Sequence, residues 1–276
     1  MRSVRFADGT EVPALGQGTW HMGEDPARRG QEADALRLGL DLGLRLIDTA
    51  EMYGEGGAEE VVGDAIAGRR DEVFLVSKVY PHNASRRGAV AACERSLKRL
   101  RVEALDLYLL HWRGSIPLAE TVEAFEALQR AGKIRRWGVS NLDVEDLEEL
   151  GEAVAGCATD QVLYNLEARG VEFDLLPFCA ERAIPVMAYS PVGQGGRMLR
   201  NSTLKSVAQR HGATPAQIAI AFTLRRPGII SIPKAADPAH VRENAAVPDI
   251  ALSAEDCEEL DIAFAPPKRK RPLAML

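Results

Sequence analysis

Along the chain, short apolar runs stop abruptly at a polar or titratable residue, and between them lie longer segments whose apolar positions recur every three or four residues. The runs are A-L-G-Q-G-T-W20, L-R-L-I-D48, V-F-L-V-S-K78, L-D-L-Y-L-L-H111, I-R-R-W-G-V-S140-N141, T-D-Q161-V-L-Y, I-P-V-M-A-Y189-S190 and I-I-S231-I-P-K234. Their length and their β-branched and Leu-rich content predict strands. In R-R-G-A-V-A-A-C-E-R-S-L-K-R-L, Val90, Cys93, Leu97 and Leu100 share one helical face, which leaves Arg95, Lys98 and Arg99 to water. From Asp48 to Lys78 is 30 residues and from Lys78 to His111 is 33, about one strand, one helix and two loops. Near-continuous apolar strands alternating with amphipathic helices predict a parallel sheet covered by helices. Eight such units predict an α/β fold of the (β/α)8, or TIM-barrel, type. A doubly wound open sheet competes, but neither G-x-G-x-x-G nor G-x-x-x-x-G-K occurs. Ahead of the first run, V4-R-F and T-E-V12 flank Ala7-Asp8-Gly9 and predict an N-terminal β-hairpin that caps the bottom of the barrel. Ser253-x-x-Asp256 predicts the start of a last helix, followed by a short C-terminal tail.

The length of 276 residues matches a single barrel domain, usually ~250 residues, so residues 1–276 are read as one domain. A net charge of −6 argues against nucleic acid or an anionic membrane as the main partner. Lys268 to Arg271 are read as a solvated basic tail. No apolar stretch approaches the ~20 residues of a membrane span, and the N-terminus lacks a signal-peptide core, so a cytoplasmic protein is expected. Cys93, Cys157, Cys179 and Cys257 show no metal-ligand spacing and are read as reduced packing residues. The five histidines are scattered, and no metal is expected.

Asp48, Lys78 and His111 end successive strands, and Tyr53 follows in the loop T-A-E-M-Y53. Alone, each has a structural explanation as a turn, cap or core residue. Together they fall on the face of a barrel that carries active sites. They suit proton donation to a carbonyl oxygen: Tyr53 as the acid, Lys78 lowering its pKa, Asp48 holding Lys78 charged, and His111 orienting the carbonyl. None of these side chains has a hydride to give, which calls for a nicotinamide. A metallohydrolase lacks its ligand cluster, and a Ser hydrolase lacks G-x-S-x-G. A Schiff-base aldolase built on Lys78 is opposed by Asp48, which would keep the amine protonated.

The ordered set G-L-R-L-I-D48-T-A-E-M-Y53, V-S-K78-V, L-H111-W, W-G-V-S140-N141, Q161, Y189-S-P and I-P-K234-A…E243-N244 resembles the aldo-keto reductases over nearly the whole chain. The resemblance implies the barrel, NADPH-dependent carbonyl reduction, and Asp48, Tyr53, Lys78 and His111 as a catalytic tetrad. It implies that Ser140, Asn141 and Gln161 bind the nicotinamide carboxamide and that Tyr189 stacks on the ring. Ser190, Val192, Gly193, Ser231, Ile232, Pro233, Lys234 and Ala235 would line the pyrophosphate and adenosine path. Lys234 would take the 2′-phosphate, favouring NADPH over NADH. At the familiar downstream Arg position stands His240, with Arg242 two residues on, while Glu243 and Asn244 would contact adenine. Trp20, Tyr80, His111 and Trp112 are expected to wall the substrate pocket. The short tail implies a relatively open site; G-T-W-H-M-G-E-D near the start and the ending P-P-K-R-K-R-P-L resemble bacterial reductases of methylglyoxal and other small aldehydes, which makes small reactive aldehydes the expected substrates, and a monomer is expected. A keto acid could use Arg197 as an anchor. The other functional reading is a cofactor-binding regulatory subunit with little turnover, resembling potassium-channel β subunits.

Overall fold

The computed structural model describes residues 2–276. Eight parallel strands follow one another around a single sheet: β3 (Gln17–Gly18), β4 (Leu46–Asp48), β5 (Phe74–Val79), β6 (Leu107–Leu110), β7 (Trp137–Ser140), β8 (Cys157–Leu163), β9 (Val186–Tyr189) and β10 (Ile229–Ser231). The first and last strands meet. Gly16 N donates to Ser231 O at 2.9 Å, Ser231 N to Ala14 O at 2.8 Å, and Gly18 N to Pro233 O at 3.1 Å. Parallel bridges Leu15↔Ser231 and Gly18↔Lys234 complete the closure, so the sheet is the predicted (β/α)8 barrel.

The predicted hairpin is present as β1 (Ser3–Arg5) and β2 (Glu11–Pro13), antiparallel with Val4 opposite Val12. Val4, Phe6 and Val12 pack with Leu46, Val76, Leu107, Leu109, Met187 and Ile230, one or two residues from each of five strands. These are the inward-pointing residues, so the hairpin plugs the barrel's N-terminal end with apolar surface. Phe6 stacks on Phe74 at 5.4 Å, and the Arg136 guanidinium lies 5.7 Å from both rings.

Strand alternation then decides what faces the barrel's upper interior. Leu46 points in, and so does Asp48; Val76 in, then Lys78; Leu109 in, then His111; Met187 in, then Tyr189. The opposite parity packs against the helices: Ile47, Leu75, Tyr108, Val162 and Ala188 join the outer core. That layer rests on α1 (Arg29–Asp41), α2 (Gly57–Ala65), α3 (Arg86–Leu100) and α4 (Leu118–Arg130), followed by α5 (Val144–Glu149) and α6 (Leu175–Glu181). The ring is completed by α7 (Ser202–Arg210), α8 (Pro215–Leu224) and α9 (Pro238–Ala245). The last helix, α10 (Ala254–Ala263), starts at the predicted Ser253–Asp256 capping box. Among the described residues, no helix is long and apolar enough to cross a membrane, and no group of three or more His, Cys, Asp or Glu could hold a metal.

One expectation fails in α3. Cys93, Leu97 and Leu100 are buried as predicted, but Arg99 is not left to water. Its guanidinium donates to Glu59 Oε2 at 2.6 Å, and Glu59 is itself wholly buried and accepts from Ser77 Oγ at 2.6 Å. Periodicity within one helix cannot register a charge waiting on the next.

Asp160, on the outer face of β8, is buried and neither carboxylate oxygen has a well-formed hydrogen bond. Burial pushes it well above the ordinary carboxylate range; the Leu142 amide opposes the shift, while Asp146 and Asp143 add to it. The folded protein therefore holds a proton that the unfolded chain releases above about pH 4, and stability falls as pH rises from there towards the folded pKa. Asp160→Asn should raise the melting temperature at pH 7, by about 2–4 °C per kcal/mol relieved. The gain should shrink towards pH 4. Melts with identical pH profiles for the two proteins would refute this account of Asp160.

Candidate active site

At the C-terminal mouth of the barrel the parity described above brings Asp48, Lys78, His111 and Tyr53 together. Lys78 is fully buried. Its ammonium uses all three protons, on Asp48 Oδ2 at 2.8 Å, Thr49 O at 2.9 Å and the Tyr53 hydroxyl at 3.1 Å. Gln161 Nε2 donates to the other Asp48 oxygen at 2.8 Å, so both carboxylate oxygens are engaged. Burial alone would lower the Lys78 pKa, but Asp48 and Tyr53 outweigh it and the net shift is upward. Lys78 is a fixed cation.

Tyr53 corrects the sequence reading in one respect. Lys78 was expected to bring the phenol down, yet burial is the larger influence, Asp48 adds to it, and the net shift is upward. Lys78 limits the rise instead of reversing it. His111 faces Tyr53 edge-on with ring centroids 5.6 Å apart. Burial and the nearby Lys78 charge push it well below its usual value, so it is neutral, and its Nδ1 has no hydrogen-bond partner.

Asp48, Tyr53 and His111 line a cavity of about 900 Å³, with Lys78 behind them. Ser140, Asn141, Gln161 and Tyr189 form a linked group on its wall. Ser140 Oγ donates to Gln161 O at 2.8 Å, Asn141 Nδ2 to His111 O at 3.1 Å, and the Tyr189 hydroxyl to Asn141 Oδ1 at 2.9 Å. Burial pushes the Tyr189 phenol up to about 12. Asn141 and Ser190 take left-handed backbone, with φ of 58° and 48°, at a cost of about 1–3 kcal/mol each. Asn165 Nδ2 holds Ser190 O at 2.9 Å.

Ser190 and Val192 also line the cavity, followed by Ile232, Pro233 and Lys234, then His240, Glu243 and Asn244. Trp20 and Trp112 line it beside His111. Other expected residues stand outside its wall. Ser231 has the wrong parity: Ile230 points inward, so Ser231 faces α8 and its Oγ accepts from Thr223 at 3.1 Å. Tyr80 is not on the wall and packs its ring edge-on against Trp112 at 5.9 Å. Gly193, Ala235 and Arg242 do not reach the wall, and Arg242 is exposed on α9. Arg197 is also off the wall, pointing to Glu167 at 3.5 Å.

Sequence reasoning missed His21, which lines the cavity beside Trp20 with rings 4.1 Å apart. Its adjacency to Trp20 was the available signal. It also missed Met275 and Leu276, which reach the wall from the tail. The site is thus less open than a short tail implied.

The family model for the aldo/keto reductase family matches residues 14–264. The chain belongs to this family. Among curated relatives of this aldo/keto reductase, methylglyoxal reductase YeaE of Escherichia coli (strain K12) is 52% identical, with 100% of this chain and 99% of that protein aligned. Glyoxal reductase of Bacillus subtilis (strain 168) is 35% identical over 94% of this chain and 91% of its own length. A solved aldo/keto reductase from Klebsiella pneumoniae in complex with NADP and acetate superposes with a TM-score of 0.97 at 54% identity, covering 99% of each chain. A structure of aldo-keto reductase from the same organism in complex with NADPH gives 0.98 at 54% identity, covering 100% of this chain and 99% of that one.

The direction of the His111 shift is testable in this reductase. Nitrogen NMR of the ring should show a neutral imidazole from pH 8 down through its ordinary titration near about 6.5. A ring that protonates near that value would contradict the burial argument.

Proposed function

We propose that this chain reduces aldehydes and ketones to alcohols with NADPH, small reactive aldehydes such as methylglyoxal first among them. The observation that carries the reading is Tyr53, on the wall of a cavity large enough for cofactor and substrate, with its hydroxyl 3.1 Å from the buried, charged Lys78 behind that wall. Asp48, Tyr53, Lys78 and His111 are the proposed catalytic residues. The reduced nicotinamide, when bound, supplies a hydride to the carbonyl carbon.

The protein's residues supply the proton and its management. A raised pKa keeps the Tyr53 hydroxyl protonated at neutral pH, as a donor must be. When it gives its proton to the carbonyl oxygen, the phenolate left behind faces the Lys78 ammonium, whose own proton Asp48 holds. Negative charge therefore appears where a preorganised cation already stands. His111, neutral, offers a ring N–H to the carbonyl oxygen without competing as an acid. Ser140, Asn141 and Gln161 are the proposed carboxamide contacts, and Tyr189 the stacking surface.

The phosphate end fits an anion. Lys234 forms no ion pair among the described residues; burial lowers its pKa while the more distant Glu32 opposes the shift, so it is an exposed cation at the cavity wall with no carboxylate bonded to it. We assign it the 2′-phosphate and hence the preference for NADPH over NADH. Ile232 and Pro233 would line the path, and His240, Glu243 and Asn244 the adenosine end. The proposed setting is cytoplasmic and the proposed working unit a monomer.

Tyr53→Phe should lower turnover by about 10²–10⁴ while NADPH binding, read by fluorescence titration, stays intact. Retained turnover would sink the assigned role of Tyr53. Lys234→Met should weaken NADPH about 10- to 100-fold, the loss of one charge-assisted contact, and leave NADH nearly unchanged. Equal effects on both would remove the 2′-phosphate assignment. Loss of 340 nm absorbance on mixing NADPH with methylglyoxal tests the reaction itself. Cofactor binding without oxidation, over a panel of aldehydes, would instead assign the regulatory role.

A further inference from the structure

Among the stretches of the cavity wall that lie outside the strands are Trp112, in the loop after β6, and Met275 with Leu276, beyond α10. Both stretches are tied to α5. Arg113, next to Trp112, donates to Asp146 Oδ1 at 2.7 Å and Glu149 Oε1 at 3.0 Å. In the tail, Lys270 lies 3.3 Å from Asp143 Oδ2, 3.3 Å from Glu145 Oε1 and 3.5 Å from Asp174 Oδ2. Asp143 caps α5, Glu145, Asp146 and Glu149 lie on it, and Asp174 precedes α6. Between Lys270 and the cavity, Leu273 packs against the outer core. The basic run is therefore not uniformly solvated. One of its four cations is fastened in an acidic socket that directs the chain back to the barrel mouth.

We propose that α5 is a shared electrostatic anchor for these two wall segments, and that Arg113 and Lys270 are positioning residues that set how the site accepts bulky aldehydes. The proposal rests on the reductase reading. An isolated exposed ion pair holds little, but here each cation meets at least two carboxylates, which is the arrangement in which surface charges become effective. The pairs are partly exposed, with Lys270 at 39% and Arg113 at 37% of full side-chain accessibility, so added salt loosens them. A small aldehyde held by Tyr53 and His111 would not need to reach the tail, whereas a bicyclic aromatic aldehyde would extend towards Trp112 and Met275 on the same wall.

The test is steady-state kinetics with methylglyoxal and 2-naphthaldehyde, at low salt and at about 0.5 M NaCl, on the wild type, Lys270→Glu and Lys270→Arg. Lys270→Glu should raise the naphthaldehyde KM about 3- to 10-fold, with methylglyoxal kcat and NADPH affinity unchanged. Lys270→Arg should restore wild-type values, and high salt should move the wild type towards the Glu variant. An unchanged naphthaldehyde KM in Lys270→Glu would overturn the anchor, as would an Arg variant as impaired as the Glu variant. So would an equal fall in methylglyoxal kcat, which marks general destabilisation. A wild type that binds NADPH yet oxidises it with neither aldehyde overturns the reductase reading itself, and the anchor's proposed role with it.

Discussion

The Lys78 ammonium has no access to water, and its charge survives because every proton on it is spent: on Asp48, on the Thr49 carbonyl and on the Tyr53 hydroxyl. Taking a cation and a carboxylate out of water costs several kcal/mol for each, offset only when geometry and remaining hydrogen bonds are complete. Completeness here requires Gln161 on the second Asp48 oxygen. Strands β4, β5 and β8 are thereby committed to one relative register, since a slip of one residue would turn Asp48, Lys78 or Gln161 out of the barrel.

The layer behind that pair also holds paired polar groups. Ser77, on the opposite face of β5 from Lys78, is held by Glu59, which Arg99 neutralises. Glu51, in the loop that carries Tyr53, accepts from the Tyr80 amide at 2.8 Å and from Asn83 at 3.0 Å. Charge at the barrel mouth is therefore braced from outside by α2, α3 and the loop after β5. Asp160 stands apart from this pattern, because no cation or hydroxyl reaches it. Burial pushes its pKa up, whereas Asp48, Glu51 and Glu59 each have hydrogen-bond donors.

The cavity wall is built from parts of different rigidity. The linked group of Ser140, Asn141, Gln161 and Tyr189 sits on strand ends and stores backbone strain at Asn141 and Ser190, which only a well-supported frame sustains. The proposed substrate side, from Trp112 and the tail, is flanked by the ion pairs of Arg113 and Lys270. A stiff surface beside a wall flanked by adjustable contacts is what the proposed pairing of one constant cofactor with varied carbonyl substrates would need.

The strands and their order were legible in the sequence, because each apolar run ends where the chain leaves the barrel and period-two alternation makes the last inward residue polar. Asp48, Lys78, His111 and Gln161 could be singled out for that reason. Parity also explains Ser231, which the family resemblance placed on the cofactor path although its neighbour Ile230 takes the inward position. What local pattern could not contain was any property set by a partner far along the chain. Arg99 meets Glu59 across a helix interface, the Tyr53 phenol shifts upward because surrounding residues exclude water, and Lys270 finds Asp143 and Asp174 across the barrel mouth. The sequence by itself determined which residues are inward, apolar or chargeable, since those follow from spacing and side-chain chemistry. Only the tertiary structure decided which charges are paired, which protons are held and where the tail comes to rest, because burial and Coulomb energy depend on distances that sequence separation does not encode.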